Sequence, residues 1–286
     1  MSPKLPIAAI TDEFSDDLET ALAPMAEIGM TGAELRMLWG KNILDATDPE
    51  LRRARELLAA RDIAVVSIAS PIMKCVLPNA PAIDRRFEHD IFASRHTYDD
   101  QPRLAERAFE IALMMGARIV RVFSYWRTVE PEKCFDAVVR SLAELADRAA
   151  SHDLIIGLEN EQACNLATAA ETARALEAMP HPNLKMVWDP ANAFVSGEEP
   201  FPHGYRLLPK DRIIHVHAKD CHMEGFKPVW GPLGTRAIDW KGQIAALLAD
   251  GYRGYISLET HWGGPGGDKL RASTICGWNL RGLASA

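Results

Sequence analysis

Short, almost wholly apolar runs recur along the chain, each followed by a longer stretch whose apolar positions return every three or four residues. The runs are Ile7–Thr11, Ala33–Arg36, Ile63–Ala69, Arg118–Phe123, Leu154–Glu159, Leu184–Asp189, Ile213–His217 and Tyr255–Glu259. Brevity without polar alternation predicts strands covered on both faces. The stretches between them, such as Asp48–Leu58 and Cys134–Ala150, are rich in Ala, Leu, Glu and Arg and predict amphipathic helices. In the first of these, Asp48 is expected as the N-cap, with Pro49 at the first helical position.

Strand alternating with helix implies a parallel sheet with helical crossovers. Eight such units predict an α/β protein with a single (β/α)8 TIM barrel domain spanning residues 1–286. The alternative is an open doubly wound sheet. No GxGxxG or phosphate loop opens the first helix, which speaks against the nucleotide-binding versions of that fold. Three connections exceed the usual length of about two to six residues: Ser70 to about Asp100, Pro190 to Asp211, and Lys219 to Asp239. All follow strand ends, the rim where a barrel carries its active site.

Composition narrows the classes. The chain has 286 residues, 48% hydrophobic and 25% charged, which excludes disorder and disulfide scaffolds. Its length slightly exceeds the roughly 250 residues of a minimal barrel. Net charge is −7, from 32 Lys and Arg against 39 Asp and Glu, so no nucleic-acid partner is expected. The five scattered cysteines contain no CxxC pair and are expected to be reduced thiols. The N-terminal apolar stretch is too short for a signal segment, and no run reaches the length of a membrane span. A cytoplasmic location and no membrane partner are therefore expected.

Chemistry concentrates where four successive runs stop. Glu159, Asp189, His217 and Glu259 close runs five to eight, and in a parallel barrel these ends stand side by side on one rim. Acids at strand–helix junctions often cap helices instead, and for Asp189 before Pro190 that reading is equally strong. Four donors on four consecutive strands are better explained by a divalent metal. Carboxylate with imidazole suits Mn, Co, Zn, Fe or Ni.

Side chains two apart on a strand share a face. That parity places Glu161 beside Glu159, His261 past Glu259, and Lys219 above His217 with His215 beneath it. His215 reads first as a satisfied core histidine, and Lys219 equally as a substrate contact or an ion-pair partner. Glu34 and Arg36 share a face on run two and are expected to reach the substrate from the opposite wall. Gly157 and Ser257, below the two glutamates, are expected to leave room. Arg36, Arg121 and Arg127 could each serve a phosphate or form salt bridges. Trp39, Tyr125, Trp126, Trp188 and Trp262 lie near strand ends, as sugar-stacking surfaces or as core.

A metal held this way leaves positions for two adjacent substrate oxygens, acidifying the C–H beside a carbonyl. A carboxylate on either face can then remove or return a proton. Epimerisation, aldose–ketose isomerisation and elimination share that enediolate step.

The strings Gly157-Leu-Glu-Asn-Glu161, Trp188-Asp-Pro-Ala-Asn192, Ile214-His-Val-His-Ala-Lys-Asp220 and Ser257-Leu-Glu-Thr260 resemble the xylose isomerase-like TIM-barrel superfamily, the sugar phosphate isomerase/epimerase group. The resemblance covers essentially the whole chain. It implies Glu159, Asp189, His217 and Glu259 as ligands of one divalent ion, most often Mn2+, with Zn2+, Co2+, Fe2+, Ni2+ and Mg2+ as other candidates. It further implies Glu159 and Glu259 as the catalytic acid/base pair and Glu161 as a substrate contact. Lys219 lies in a His-x-Lys-Asp signature seen in inosose dehydratase-like members. Asn192 stands where 3-epimerases carry a histidine; it can hydrogen-bond a substrate hydroxyl but carries no proton. The apurinic endonucleases of the superfamily also have histidine there, and an Asp-x-His pair that Val229-Trp-Gly-Pro232 lacks. The reading is thus a metal-dependent sugar isomerase or epimerase acting on a ketose or related polyol. A dehydratase or lyase using the same step (inosose dehydratase-like, or β-elimination from a 3-keto-glycoside) is the alternative, ahead of a non-catalytic sugar-binding barrel or an apurinic endonuclease. A homo-oligomer is compatible with the resemblance.

Overall fold

A computed structural model describes residues 4–87 and 95–286. Eight strands close a barrel: β1 Ile7–Ile10, β2 Gly32–Leu35, β3 Ala64–Ala69, β4 Ile119–Val122, β5 Ile155–Glu159, β6 Leu184–Trp188, β7 Ile213–Ala218 and β8 Tyr255–Leu258. Around the barrel each strand pairs with its sequence neighbours, and β1 pairs with β8. Every pairing is parallel. The expected runs and the observed strands agree within a residue at almost every end, because residues such as Ile10, Val120, Ile156 and Val216 are buried outright. A strand covered by helices outside and filled inside has no polar face to interrupt its pattern.

Helices pack outside the barrel. Asp48–Ala59 begins one residue earlier than the sequence implied, since its N-cap is Thr47 rather than Asp48. Thr47 and Glu50 form a reciprocal capping box, each side chain accepting from the other's backbone N–H. Asp48 then sits in the first turn, where its charge meets the helix dipole. Below Glu159, Gly157 does not leave open room: a Cβ there would lie 2.9 Å from Val187 Cγ2 and 3.0 Å from Ile119 Cγ2. Neighbouring strands already fill the space, and only glycine lets them meet.

The long connections all rise from the C-terminal ends of the strands. The one after β3 hydrogen-bonds to the segment after β4, through Phe123 N to Ile72 O, Tyr125 N to Met73 O and Trp126 N to Cys75 O. Residues 88–94 of that connection lie outside those described. After β6 comes a short helix, Pro190–Val195, and after β7 an antiparallel hairpin of Cys221–Glu224 and Lys227–Trp230. All five cysteines are buried free thiols. Among the described residues no helix is long and apolar enough to cross a membrane.

Candidate metal centre

Glu159 ends β5, Asp189 directly follows β6, His217 lies at the end of β7, and Glu259 directly follows β8. One donor atom from each lies within 4.8 Å of all the others, and all four residues are buried. His217 Nδ1 stands 3.1 Å from Glu159 Oε1, 3.6 Å from Glu259 Oε2 and 4.0 Å from Asp189 Oδ2. Those separations suit donors surrounding one ion at roughly 2.0–2.6 Å.

Asp189 answers both readings of its position at once. Its Oδ1 accepts from Asn192 N and caps Pro190–Val195, while Oδ2 faces the cluster. The two duties fall on different oxygens of one carboxylate.

Burial and charge oppose each other across the cluster. Burial pushes Asp189 up to about 6; Lys219 opposes the rise, and Glu259 and Glu159 reinforce it. Burial also opposes ionisation of Glu159, yet His217 and Arg121 hold it down to about 2. Glu259 stays well below the usual range because Lys219 and His261 outweigh its desolvation. Burial disfavours a charged His217, but Glu159 and Glu34 raise it well above its ordinary value. A divalent ion bound at Nδ1 would compete with the proton that these carboxylates favour on His217.

Each glutamate has an arginine. Arg121, on β4, donates to Glu159 Oε2 at 3.0 Å and to the carbonyls of Ala69 and Ser70. Arg36, just past β2, donates to Glu259 Oε1 at 3.2 Å, to Asp12 Oδ2 at 2.8 Å and to Glu13 Oε1 at 2.6 Å. Lys219 Nζ lies 2.6 Å from Glu259 Oε2 and 2.8 Å from Asp189 Oδ2, wholly buried.

The other expected site residues fall in two groups. Glu161, Lys219 and His261 stand at the cluster or its rim: Glu161 lies 3.8 Å from Lys74, and His261 Nε2 lies 3.4 Å from Glu259 Oε1. Glu34, Arg36 and Asn192, also expected to contact substrate, each bond to residues of the cluster. Glu34 is fully buried and bound to histidine. Arg36 is saturated by three carboxylates. Asn192 Nδ2 donates to Glu159 Oε1 at 3.3 Å and to Asn160 O at 2.9 Å.

Arg127 pairs with Glu171, so of the three arginines it is the one outside the cluster. Trp188 and Tyr125 are core, bonded to Gln243 and Ser141. Sequence reasoning missed Asp12, Glu13, Lys74 and Trp230. The acids follow β1 as Glu259 follows β8, so the same strand-end rule would have found them. Lys74 depends on the loop path, and there it lies over Phe123 and Trp126 at 4.8 and 5.5 Å. Trp230 stands edge-on to His261 at 4.8 Å and 5.9 Å from Lys219 Nζ, an apolar wall that only the hairpin creates.

A family model described as xylose isomerase-like TIM barrel matches residues 22–275. Among solved structures, a xylose isomerase-like TIM barrel/4-hydroxyphenylpyruvate dioxygenase fusion protein matches at 21% identity and TM-score 0.69, over 94% of this chain and 41% of that one. The IOLI protein, solved with a binding zinc atom, matches at 17% identity and TM-score 0.74, over 98% of this chain and 97% of its own. The 3-keto-D-glucoside 4-epimerase YcjR of E. coli matches at 15% identity and TM-score 0.67, over 97% and 99%. At such identities the likeness is one of fold. No curated protein sequence matches the chain significantly.

Proposed function

The chain belongs to the xylose isomerase-like TIM barrel family, and we propose that it is a divalent-metal-dependent sugar isomerase or epimerase. Its substrate would be a ketose or related polyol, and its reaction proton transfer beside a carbonyl through an enediolate. The observation that carries this reading is the meeting of Glu159, Asp189, His217 and Glu259, all buried, with one donor atom from each within 4.8 Å of the others. These four would hold the ion, with manganese the first candidate. A divalent ion there would polarise a carbonyl and its neighbouring hydroxyl.

The chain's own residues supply the rest. Glu259 is the proton acceptor, because it faces the rim beside His261 and Lys219. Glu159, locked by Arg121 and His217, serves the opposite face and the metal. Glu161 and Lys219 bind substrate hydroxyls, and Trp230 and Trp126 shield the chamber from water. A metal-dependent dehydratase or lyase is the second reading. It is favoured by Lys219, whose buried ammonium beside Glu259 is a donor for a departing hydroxyl.

The test begins with chelator-treated protein reloaded with manganese and incubated with ketoses, inososes and 3-keto-glycosides in heavy water. Solvent deuterium appearing beside the carbonyl in recovered substrate or its epimer supports the isomerase reading. Loss of water or of the glycosyl group moves the assignment to the lyase. Less than a tenth of an equivalent of retained manganese, with no rise in Tm, removes the metal centre.

A further inference from the structure

Below the metal cluster lies a second buried group that the proposed reaction does not use. Glu34 projects from β2 into the barrel and meets His215 and His217, both on β7. In the closed order β1 and β8 separate β2 from β7, so the contact is made through the barrel interior and not along the sheet. All three residues are at most 1% exposed.

The two nitrogens of His217 face opposite ways. Nδ1 looks at Glu159, Glu259 and Asp189, while Nε2 lies 3.1 Å from Glu34 Oε1. His215 Nε2 approaches that same oxygen at 2.9 Å, and its ring stands edge-on to His217 with centroids 5.5 Å apart. We propose that Glu34 is a positioning residue: it holds the proton of His217 on Nε2, so that the Nδ1 lone pair is presented to the metal. This rests on the metal centre proposed above.

A neutral imidazole has one N–H and one lone pair, and an ionised carboxylate only accepts. Carboxylates face both nitrogens at 3.1 Å, Glu159 at Nδ1 and Glu34 at Nε2; with an ion taking the Nδ1 side, the one remaining proton is held on Nε2 by Glu34. A carboxylate behind a ligating histidine fixes the ring and makes it a stronger donor. The edge-on ring of His215 limits rotation about the Cβ–Cγ bond of His217. A second ion among Glu34, His215 and His217 would force His217 to ligate through both nitrogens, as an imidazolate, so metal stoichiometry separates the two arrangements.

The test uses zinc as probe. Zinc affinity is measured by chelator competition for the full-length protein and its Glu34→Gln and Glu34→Met variants, with far-UV circular dichroism of the metal-free forms as the folding control. Gln keeps the shape and the acceptor oxygen but loses the charge, and affinity should fall about tenfold; Met removes the acceptor, and the loss should approach about 100-fold. A packing role alone would leave the Gln variant at wild-type affinity. In parallel, 15N-histidine spectra of the zinc-loaded wild type should show His217 protonated at Nε2 and ligated at Nδ1. Gln-variant affinity within twofold of wild type, ligation through Nε2, or two zinc ions per chain each overturns the proposal. If the variants fail to fold, the wild-type spectrum and stoichiometry decide it. A wild type that takes up no zinc removes the metal centre itself, and the positioning role with it.

Discussion

The two glutamates of the site occupy matching places, each at the end of a barrel strand with an arginine at its back, yet their surroundings differ. Glu159 is enclosed: Arg121, Asn192 and His217 all bond its carboxylate, and it is 1% exposed. Glu259 faces Lys219, Arg36 and His261, and the His261 side chain is 17% exposed. Removing Glu159 strands a buried arginine. Removing Glu259 does not, because Arg36 keeps Asp12 and Glu13 and Lys219 keeps Asp189. The contrast fits the proposed division between a carboxylate that holds the site together and one that exchanges a proton with substrate.

Four substitutions test that division. The largest effect should come from Glu259→Gln, which is expected to lower solvent exchange of the substrate proton by about 10²–10⁴-fold, with a smaller loss of stability than at Glu159 because Arg36 and Lys219 keep other carboxylates. An undiminished exchange rate would remove Glu259 as the base. Glu159→Gln should instead lower unfolding free energy by about 3–5 kcal/mol in urea, because Arg121 is left as a buried unpaired charge. Equal stability losses for the two variants would erase the distinction.

The acid dependence of the metal-free protein has a definite sign. Glu159 is depressed from 4.5 to about 2, against its burial, by His217 and Arg121. Its stabilising contribution is complete above its unfolded value and is lost as pH falls toward 2. Glu159→Gln should therefore flatten the wild-type loss of stability across that window; an unchanged slope would show that the carboxylate is not what titrates.

Asn192→Ala comes next. It leaves the buried carbonyl of Asn160 without this donor and should cost about 1–3 kcal/mol, with metal affinity falling through Glu159. The smallest effect is expected for His261→Gln. That partly exposed contact is worth about 0.2–1 kcal/mol of stability, read as a small fall in Tm with kcat preserved. A collapse of kcat would place His261 among the proton carriers and sharpen the comparison in the other direction.

Legibility in the sequence followed the range of the interactions. The strands were readable because burial on both faces leaves an uninterrupted apolar run. The four convergent donors were readable because parallel strands deliver their last residues to one rim. Thr47 was hidden behind Asp48, since both are good caps and only the capping-box geometry with Glu50 chooses between them. For Glu34 the parity was correct, and it does point inward, but parity says nothing of depth. In the structure its carboxylate meets His217 Nε2 across the barrel interior. Arg36 and Arg121 could not be assigned because a guanidinium on a long stem reaches acids that the chain order does not place beside it, such as Asp12, 24 residues away.

The double duty of Asp189 bears on how such barrels diverge. A barrel of this kind without a metal would still need a residue to start the helix Pro190–Val195, and selection for folding alone would keep a capping residue such as aspartate, asparagine or serine there. Its persistence is then weak testimony to catalysis. Glu259 has no comparable cap to maintain, so its replacement is the earlier and more informative mark of a barrel that has retired from chemistry.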